Sequence, residues 1–306
     1  MKQSTTTFRT LLDDITESLN LAWSNMLSYF LANLGMAVLA VVMLAIIAIP
    51  LVAIAILAGP TALAAWATSL YSWSTANLFA AGSLAFMVIL VPFIAFGFIF
   101  VGAVYGMSKE VVETGETKAE SAFSWLRHNA LSFAGVGVVL SLIILAPQML
   151  VASIVGYLYG WHITGLANIG LSIFFFVYSF ITLGLTSMVL PAVVNGKGVQ
   201  EAVKESFRLA TERFDRVFGI HTAIVSLGLL LLAPILIGAL AAYLGYSLTV
   251  LIPYMIFAGL WLVSGLIFAV FLFLPMTYIA YTRVYHDLTG GIIADSTPQT
   301  PEIPMV

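Results

Sequence analysis

GKGVQEAVKESFRLATERFDR, residues 196–216, decides how this chain folds. It is the densest run of charge in a polypeptide of 306 residues that is 61% hydrophobic and only 8% charged. Soluble domains carry about 25% charged residues. So few charges cannot solvate the surface of a fold this size, and the chain reads as a membrane protein. On either side of the run, residues 128–196 and 217–282 contain no Asp, Glu, Lys or Arg, and neither do residues 18–108. A membrane-crossing helix takes about 20 apolar residues, so each block holds two crossings and a turn between them.

The crossings are expected near 28–57 and 77–107, 130–157 and 164–193, and 219–243 and 249–284. Gly59-Pro60 stops the first, and 59–77 reads as an outer turn whose Trp66, Tyr71 and Trp73 suit the headgroup layer. Tyr157, Tyr159 and Trp161 mark the second outer turn at 156–165, and Tyr243 and Tyr246 mark the third. All 11 Lys and Arg lie outside the blocks. The positive-inside rule then places both termini and both inter-block zones in the cytoplasm, which demands an even number of crossings. The expected fold is an all-α polytopic bundle of six transmembrane helices, in three hairpins with cytoplasmic amphipathic helices. The segment before the first block carries Asp13, Asp14 and Glu17 and does not read as a cleavable leader.

Two surface helices stand out. Near the N-terminus, Phe8, Leu11, Leu12, Ile15, Leu19 and Trp23 recur at helical spacing with Arg9, Asp13, Asp14 and Glu17 on other faces, so this helix is expected along the membrane surface. In the 196–216 run, Val203, Phe207, Ala210, Phe214 and Phe218 form an apolar stripe. Lys204, Arg208, Glu212 and Arg216 follow at i,i+4 steps, each opposite-charge pair adding roughly 0.2–0.5 kcal/mol. Lys204, Phe207, Arg208, Phe214 and Arg216 are the candidate membrane-surface residues. Lys197, Lys204, Arg208, Arg213 and Arg216 face Glu201, Glu205, Glu212 and Asp215, five bases against four acids. A helix so nearly balanced is expected to be solvated and laced by ion pairs, not to be a polybasic lipid patch.

An internal repeat is also expected. Pro50 and Pro92, Pro147 and Pro191, and Pro234 and Pro275 pair off within the blocks at separations of 42, 44 and 41 residues. The approaches to the first proline of each pair, at 22–50, 122–147 and 206–234, each begin with a small residue and an aromatic and end in an apolar run. The units are about 1–108, 109–196 and 197–291, within one transmembrane domain at 1–291 followed by a disordered cytoplasmic tail at 292–306. Proline frees carbonyls that a neighbouring helix or water must satisfy, so all six prolines, the candidate kinks, should point into the bundle.

The sequence is poor in chemistry. It has no cysteine and no intramembrane charge, and charged-substrate and proton-coupled sites usually show such a charge. His128, His162, His221 and His286 fall near expected interfaces, without the spacing of a zinc motif. No nucleophile elbow or phosphate-cradling loop occurs. No catalytic residue, cofactor site or metal site is expected, and no nucleic-acid partner. Gln148 and Asn168 are the candidate buried polar residues, with Ser141, Thr186 and Ser187 beside them, and they read as interhelical glue. Gly102 and Gly106 allow close helix approach. The expected partners are the lipid bilayer, and another membrane protein or a bound lipid. A non-enzymatic scaffold or accessory subunit of a membrane complex is the leading class. A translocator of lipid or a neutral small solute, without proton coupling through buried charges, is the alternative, and a membrane-embedded enzyme comes last.

LPAVVNGKGVQEAVKESFRLATERFDRVFG, from Leu190, carries Pro191, Gly198, Ala202, Ser206 and Phe207, and the ending YTRVYHDLTG carries Tyr281, Tyr285 and Asp287. These features resemble an uncharacterised prokaryotic, archaeal-like family of six-helix membrane proteins related to the membrane domain of some glycerophosphodiester phosphodiesterases. The resemblance implies a six-helix domain in the cytoplasmic membrane and supplies no activity. The soluble phosphodiesterase barrel and its acidic metal-binding motifs are absent from the chain, so phosphodiester hydrolysis is not implied.

Overall fold

The computed structural model describes residues 8–76, 78–159, 164–245 and 248–294. Every regular element among them is a helix. Within lipid, a lone apolar segment can satisfy its own backbone N–H and C=O groups only as a helix. The expected positions of Trp161, His162 and Tyr246 fall outside the described residues, as does the tail from 295 onward.

Helix α1 (Phe8–Ser24) ends at Asn25, and α2 (Met26–Ala76) begins the first block. Helix α2 is broken at Gly59, whose φ of 77° and ψ of 164° are not helical. The expected stop at Gly59-Pro60 is therefore present, but the outer turn at 59–77 is helical up to Ala76. Pro60 suits the first turn of a new helix, and the Ala-rich stretch behind it has high helix propensity. Among the described residues, seven segments, not the six expected, are long and apolar enough to cross a membrane. The additional one, Val52–Ser74, straddles the Gly59 break. Residues 60–76 alone rise about 25 Å, short of a hydrocarbon core of about 30 Å.

The remaining elements are α3 (Leu78–Ala85), α4 (Val91–Thr114), α5 (Ala119–Leu158), α6 (Gly165–Thr186), α7 (Val189–Val194), α8 (Val199–Glu212), α9 (Phe214–Tyr243), α10 (Leu248–Phe268) and α11 (Leu274–Thr289). The 196–216 run is thus two helices, parted at Arg213 with φ −128° and ψ 46°. Its counterpart in the second block is continuous with the span, as α5.

The second-span prolines share a feature. A π-helical turn at Phe86–Leu90 ends two residues before Pro92, and another at Ala269–Phe273 ends two residues before Pro275. Pro191 follows a turn at 187–188 between α6 and α7. Proline has no N–H and its ring crowds the carbonyl one turn earlier, so the helix loosens just upstream. Pro50, Pro147 and Pro234 instead lie inside α2, α5 and α9. The last span also holds Pro253, so it carries two prolines and not one. Pro191, Pro234 and Pro275 are buried and Pro147 is half-buried, but Pro50 and Pro92 are exposed, against expectation. A proline ring is apolar and loses nothing by facing hydrocarbon; only the freed carbonyl needs a partner.

The chain forms two compact units. The first gathers Met1–Leu31, Val104–Ala122 and Gly184–Val306, the second Ala32–Ala103 and Phe123–Leu183. They cut across the three expected repeat copies. In the second unit, Gly137 lets α5 approach α4 so closely that a Cβ there would lie 2.6 Å from Cα of Ala95. Gly102 likewise receives the Phe133 ring. In the first unit, α1 lies against α9 and α11. Residues 292–294, expected in the disordered tail, are held there: Ala294 N–H donates to the Val112 carbonyl at 2.7 Å.

Candidate functional site

Of the described residues, every Asp, Glu, Lys and Arg but Arg127 lies in the first unit. Helix α1 presents Asp14, Ser18, Leu21 and Ala22 on one buried face. Arg216 enters from the first turn of α9, and Arg283 and Asp287 from the last turns of α11. Arg216 Nη2 lies 2.8 Å from Asp14 Oδ2 and 3.1 Å from Asp287 Oδ2. Arg283 pairs with Glu17, and its Nε is 3.8 Å from Asp14 Oδ1. Three helices are clasped by five charged side chains. Burial pushes the Asp14 carboxyl above its ordinary range, and the guanidinium groups of Arg216 and Arg283 offset only part of that shift.

Two further polar contacts sit beside the clasp. His221 Nδ1 is 2.9 Å from the Tyr281 hydroxyl, joining α9 to α11. His286 is 2% exposed, with Nδ1 3.0 Å from the Ile292 carbonyl. Asn25, at the break between α1 and α2, is an amide staple. Its side chain donates to the Gly115 carbonyl and accepts from the Thr117 N–H, both at 3.0 Å. Ser28 adds a bond to the Thr117 carbonyl at 2.9 Å.

Helix α8 is built otherwise. Its buried face is Ala202, Glu205, Ser206, Leu209 and Ala210, a stripe offset from the one expected. Phe207 and Val203 fall at its edge, and Phe214 is 60% exposed. Ser206 mends the break before Pro191: its hydroxyl donates to the Leu185 carbonyl at 2.7 Å and accepts from the Met188 N–H at 3.1 Å. Glu205 is held by Lys197 at 3.3 Å and Arg208 at 2.7 Å. Arg208 therefore reaches back three residues, not forward to Glu212. Of the candidate surface residues, Lys204, Arg208 and Phe214 are exposed, Phe207 is half-buried, and Arg216 is buried in the clasp. A guanidinium at the foot of a span is more stable paired with two carboxylates than facing lipid, which is why the i,i+4 reading of Arg216 fails.

Within the spans, polar groups pair with one another. Gln148 Nε2 donates to Ser179 Oγ at 2.8 Å, as interhelical glue should. Asn168 is exposed, not buried, in the first turn of α6. The Tyr178 hydroxyl donates to the Ile143 carbonyl at 2.7 Å, the group that Pro147 frees. Around Pro234, Tyr254 donates to the proline's own carbonyl and Trp261 Nε1 to that of Leu231 at 2.9 Å. Beside them runs an apolar groove of about 450 Å³ between α9 and α10, floored by Gly238, Ala242, Ala258 and Gly259. Among the described residues, no three His, Asp or Glu side chains are grouped to hold a metal.

The sequence does not single out Asp14, Arg283, Asp287 and Asn25 as partners. The available signal is that Arg216, Arg283 and Asp287 stand at the charged edges of apolar blocks. These features define an all-helical membrane bundle with a partly buried charge cluster. No protein-family model, curated protein or solved structure matches the chain, so the likeness to the phosphodiesterase-associated membrane domain rests on its short motifs alone.

Proposed function

We propose that this chain is a six-crossing protein of the prokaryotic cytoplasmic membrane, with both ends in the cytoplasm, acting as a non-enzymatic scaffold or accessory subunit of a membrane complex. The observation that carries this reading is the clasp of Asp14, Glu17, Arg216, Arg283 and Asp287. These five charges are spent on joining helices, and Gln148, Tyr178 and Trp261 inside the spans bond to neighbouring helices.

The same clasp supports the crossing count. It joins α1 to the end of α11, and two chain ends on one side require an even number of crossings. Six follows if residues 60–76 lie in the interface. The matching positions of the π-helical turns before Pro92 and Pro275 favour a repeated hairpin unit. The cytoplasmic assignment rests on the positive-inside rule. Selective labelling of Ser74→Cys from the cytoplasmic side would overturn it.

A translocator of lipid or neutral solute is the second reading, favoured by the apolar groove between α9 and α10 and by the π-helical turns, which recur at functional sites. Affinity purification in a gentle detergent followed by native mass spectrometry separates the two. A stoichiometric protein partner supports the scaffold. The chain recovered alone with one tightly held lipid supports translocation.

A further inference from the structure

Glu-Ser occurs three times in the chain, at 17–18, 120–121 and 205–206. Twelve residues after each serine stands a phenylalanine: Phe30, Phe133 and Phe218. We infer that this signature is a docking element. It seats the start of each hairpin unit on the second span of the unit before, and the first copy, which includes α1, takes the seat on the last unit. The inference deepens the repeated hairpin unit proposed above and depends on neither the scaffold role nor the orientation.

The phenylalanines follow one another in cyclic order. Phe218, of the third unit, fills the space over Gly184 in α6, where a Cβ would lie 2.5 Å from its ring. Phe133, of the second unit, fills the space over Gly102 in α4, where a Cβ would overlap its ring. Phe30, of the first unit, stacks on Phe271 in the π-helical turn of the last span, with ring centroids 4.4 Å apart. Lipid is as apolar as the helices, so close fits of this kind decide which helices pair.

The helices that carry the first and third copies bury the same register. Ser18, Leu21 and Ala22 are buried on α1, and Ser206, Leu209 and Ala210 at the matching places on α8. The two differ one turn earlier, where α1 buries Asp14 and α8 buries Ala202. Each glutamate meets a cation at the foot of the span it sits on: Glu17 pairs with Arg283, and Glu205 with Lys197 at 3.3 Å. The middle copy has Ser124-Trp125 in place of Leu-Ala, exposes Glu120 and is anchored through Phe133. A head-to-tail contact propagates unless it closes. Here α1 occupies the seat that a further unit or a second copy would otherwise take.

Photocrosslinking tests the seats without emptying them. The full chain is made with p-azidophenylalanine in place of Phe30, Phe133 or Phe218, reconstituted into phosphatidylcholine vesicles and illuminated. Links within one molecule leave it at monomer mass on a denaturing gel, and links between copies double that mass. Trypsin separates the members of each pair at Lys109, Lys197 or Arg216, so joined peptides report the partner. Position 30 should link to 269–273, position 133 to the stretch of α4 around Gly102, and position 218 to that of α6 around Gly184, all within one molecule. Ala22→Leu overfills its seat and should lower the link from 30 roughly tenfold while leaving the other two, and Ala210→Leu should do the same to the link from 218. Asn20→Leu and Arg208→Leu, at exposed places in the same register, should change no link. A link from 30 that joins two copies, or that lands outside the last span, would overturn the closure while leaving the hairpin repeat standing. Links from 133 and 218 that miss Gly102 and Gly184 would overturn the docking rule itself. An Ala22→Leu or Ala210→Leu variant that keeps its own link at full yield would do the same.

Discussion

Helices α1 and α8 have the same kind of amphipathic sequence and are used in different ways. Helix α8 hides small residues, Ala202, Ser206 and Ala210, with Leu209 and a Glu205 held by two cations, and exposes Lys204 and Arg208. Helix α1 hides Asp14 and Ser18 and exposes Leu12 and Trp23. The difference teaches what drives burial at each place. On α1 the pairing of Asp14 with Arg216 decides the buried face, and Leu12 and Trp23 are left exposed. The outer face of α8 carries Gln200, Glu201, Lys204 and Arg208, and there the ordinary rule returns.

The contrast can be broken by mutation. Arg216→Gln removes the cation that joins α1, α9 and α11 and leaves Asp14 buried with Arg283 as its remaining partner at 3.8 Å. A loss of about 3–5 kcal/mol is expected, read as a lowered midpoint of unfolding in mixed micelles. Arg208→Gln, at an arginine 56% exposed on α8, should cost about 0.5 kcal/mol or less in the same assay. Equal losses from the two would abolish the distinction between the helices.

Asn25→Ala should cost about 1–3 kcal/mol, because the Thr117 N–H and the Gly115 carbonyl both lose their partner. Faster proteolysis in the 115–118 connection is the accompanying readout, and an unchanged cleavage rate would argue against the staple.

The smallest effect is one of pH. The folded Asp14 holds its proton more tightly than the unfolded chain does, because burial outweighs its two arginines. Between the unfolded value of about 4 and the raised folded value, the folded state therefore binds more protons, and stability falls as pH rises. Measured against Asp14→Asn, which cannot ionise, the unaltered protein should lose ground as pH climbs from about 4. A gain over that range would mean that the arginines dominate.

These helices also show what can be read in advance. The charge-free blocks announce the membrane because lipid excludes charge along any span, whatever the fold. Gly59-Pro60 announces a break because the cause is local to two residues. The partners of Arg216 lie about 200 residues upstream and 71 residues downstream, and nothing in the run around it distinguishes pairing with Glu212 from pairing with Asp14. Ser206 shows the same gap: its task is to repair a break some 18 residues earlier, which a hydroxyl on an amphipathic helix does not reveal. The stripe at Phe207 and Phe214 misleads because the face of α8 that packs is set by small residues, Ala202, Ser206 and Ala210, which apolar spacing does not mark.

The π-helical turn at Ala269–Phe273 acts as a shift of reading frame in the last span. A π turn closes over one residue more than an α turn, so the helix downstream of it is rotated by about 100° relative to an uninterrupted one. Upstream, α10 shows Leu260, Leu266 and Ile267 outward; downstream, α11 buries Ile279, Tyr281 and Tyr285. Deleting one residue from the turn would leave Tyr281 facing His221, because the turn already absorbs that residue, whereas inserting one elsewhere in α10 would swing Tyr281 away by about 100°. A lengthwise irregularity of one residue thus sets which way the polar end of the helix faces.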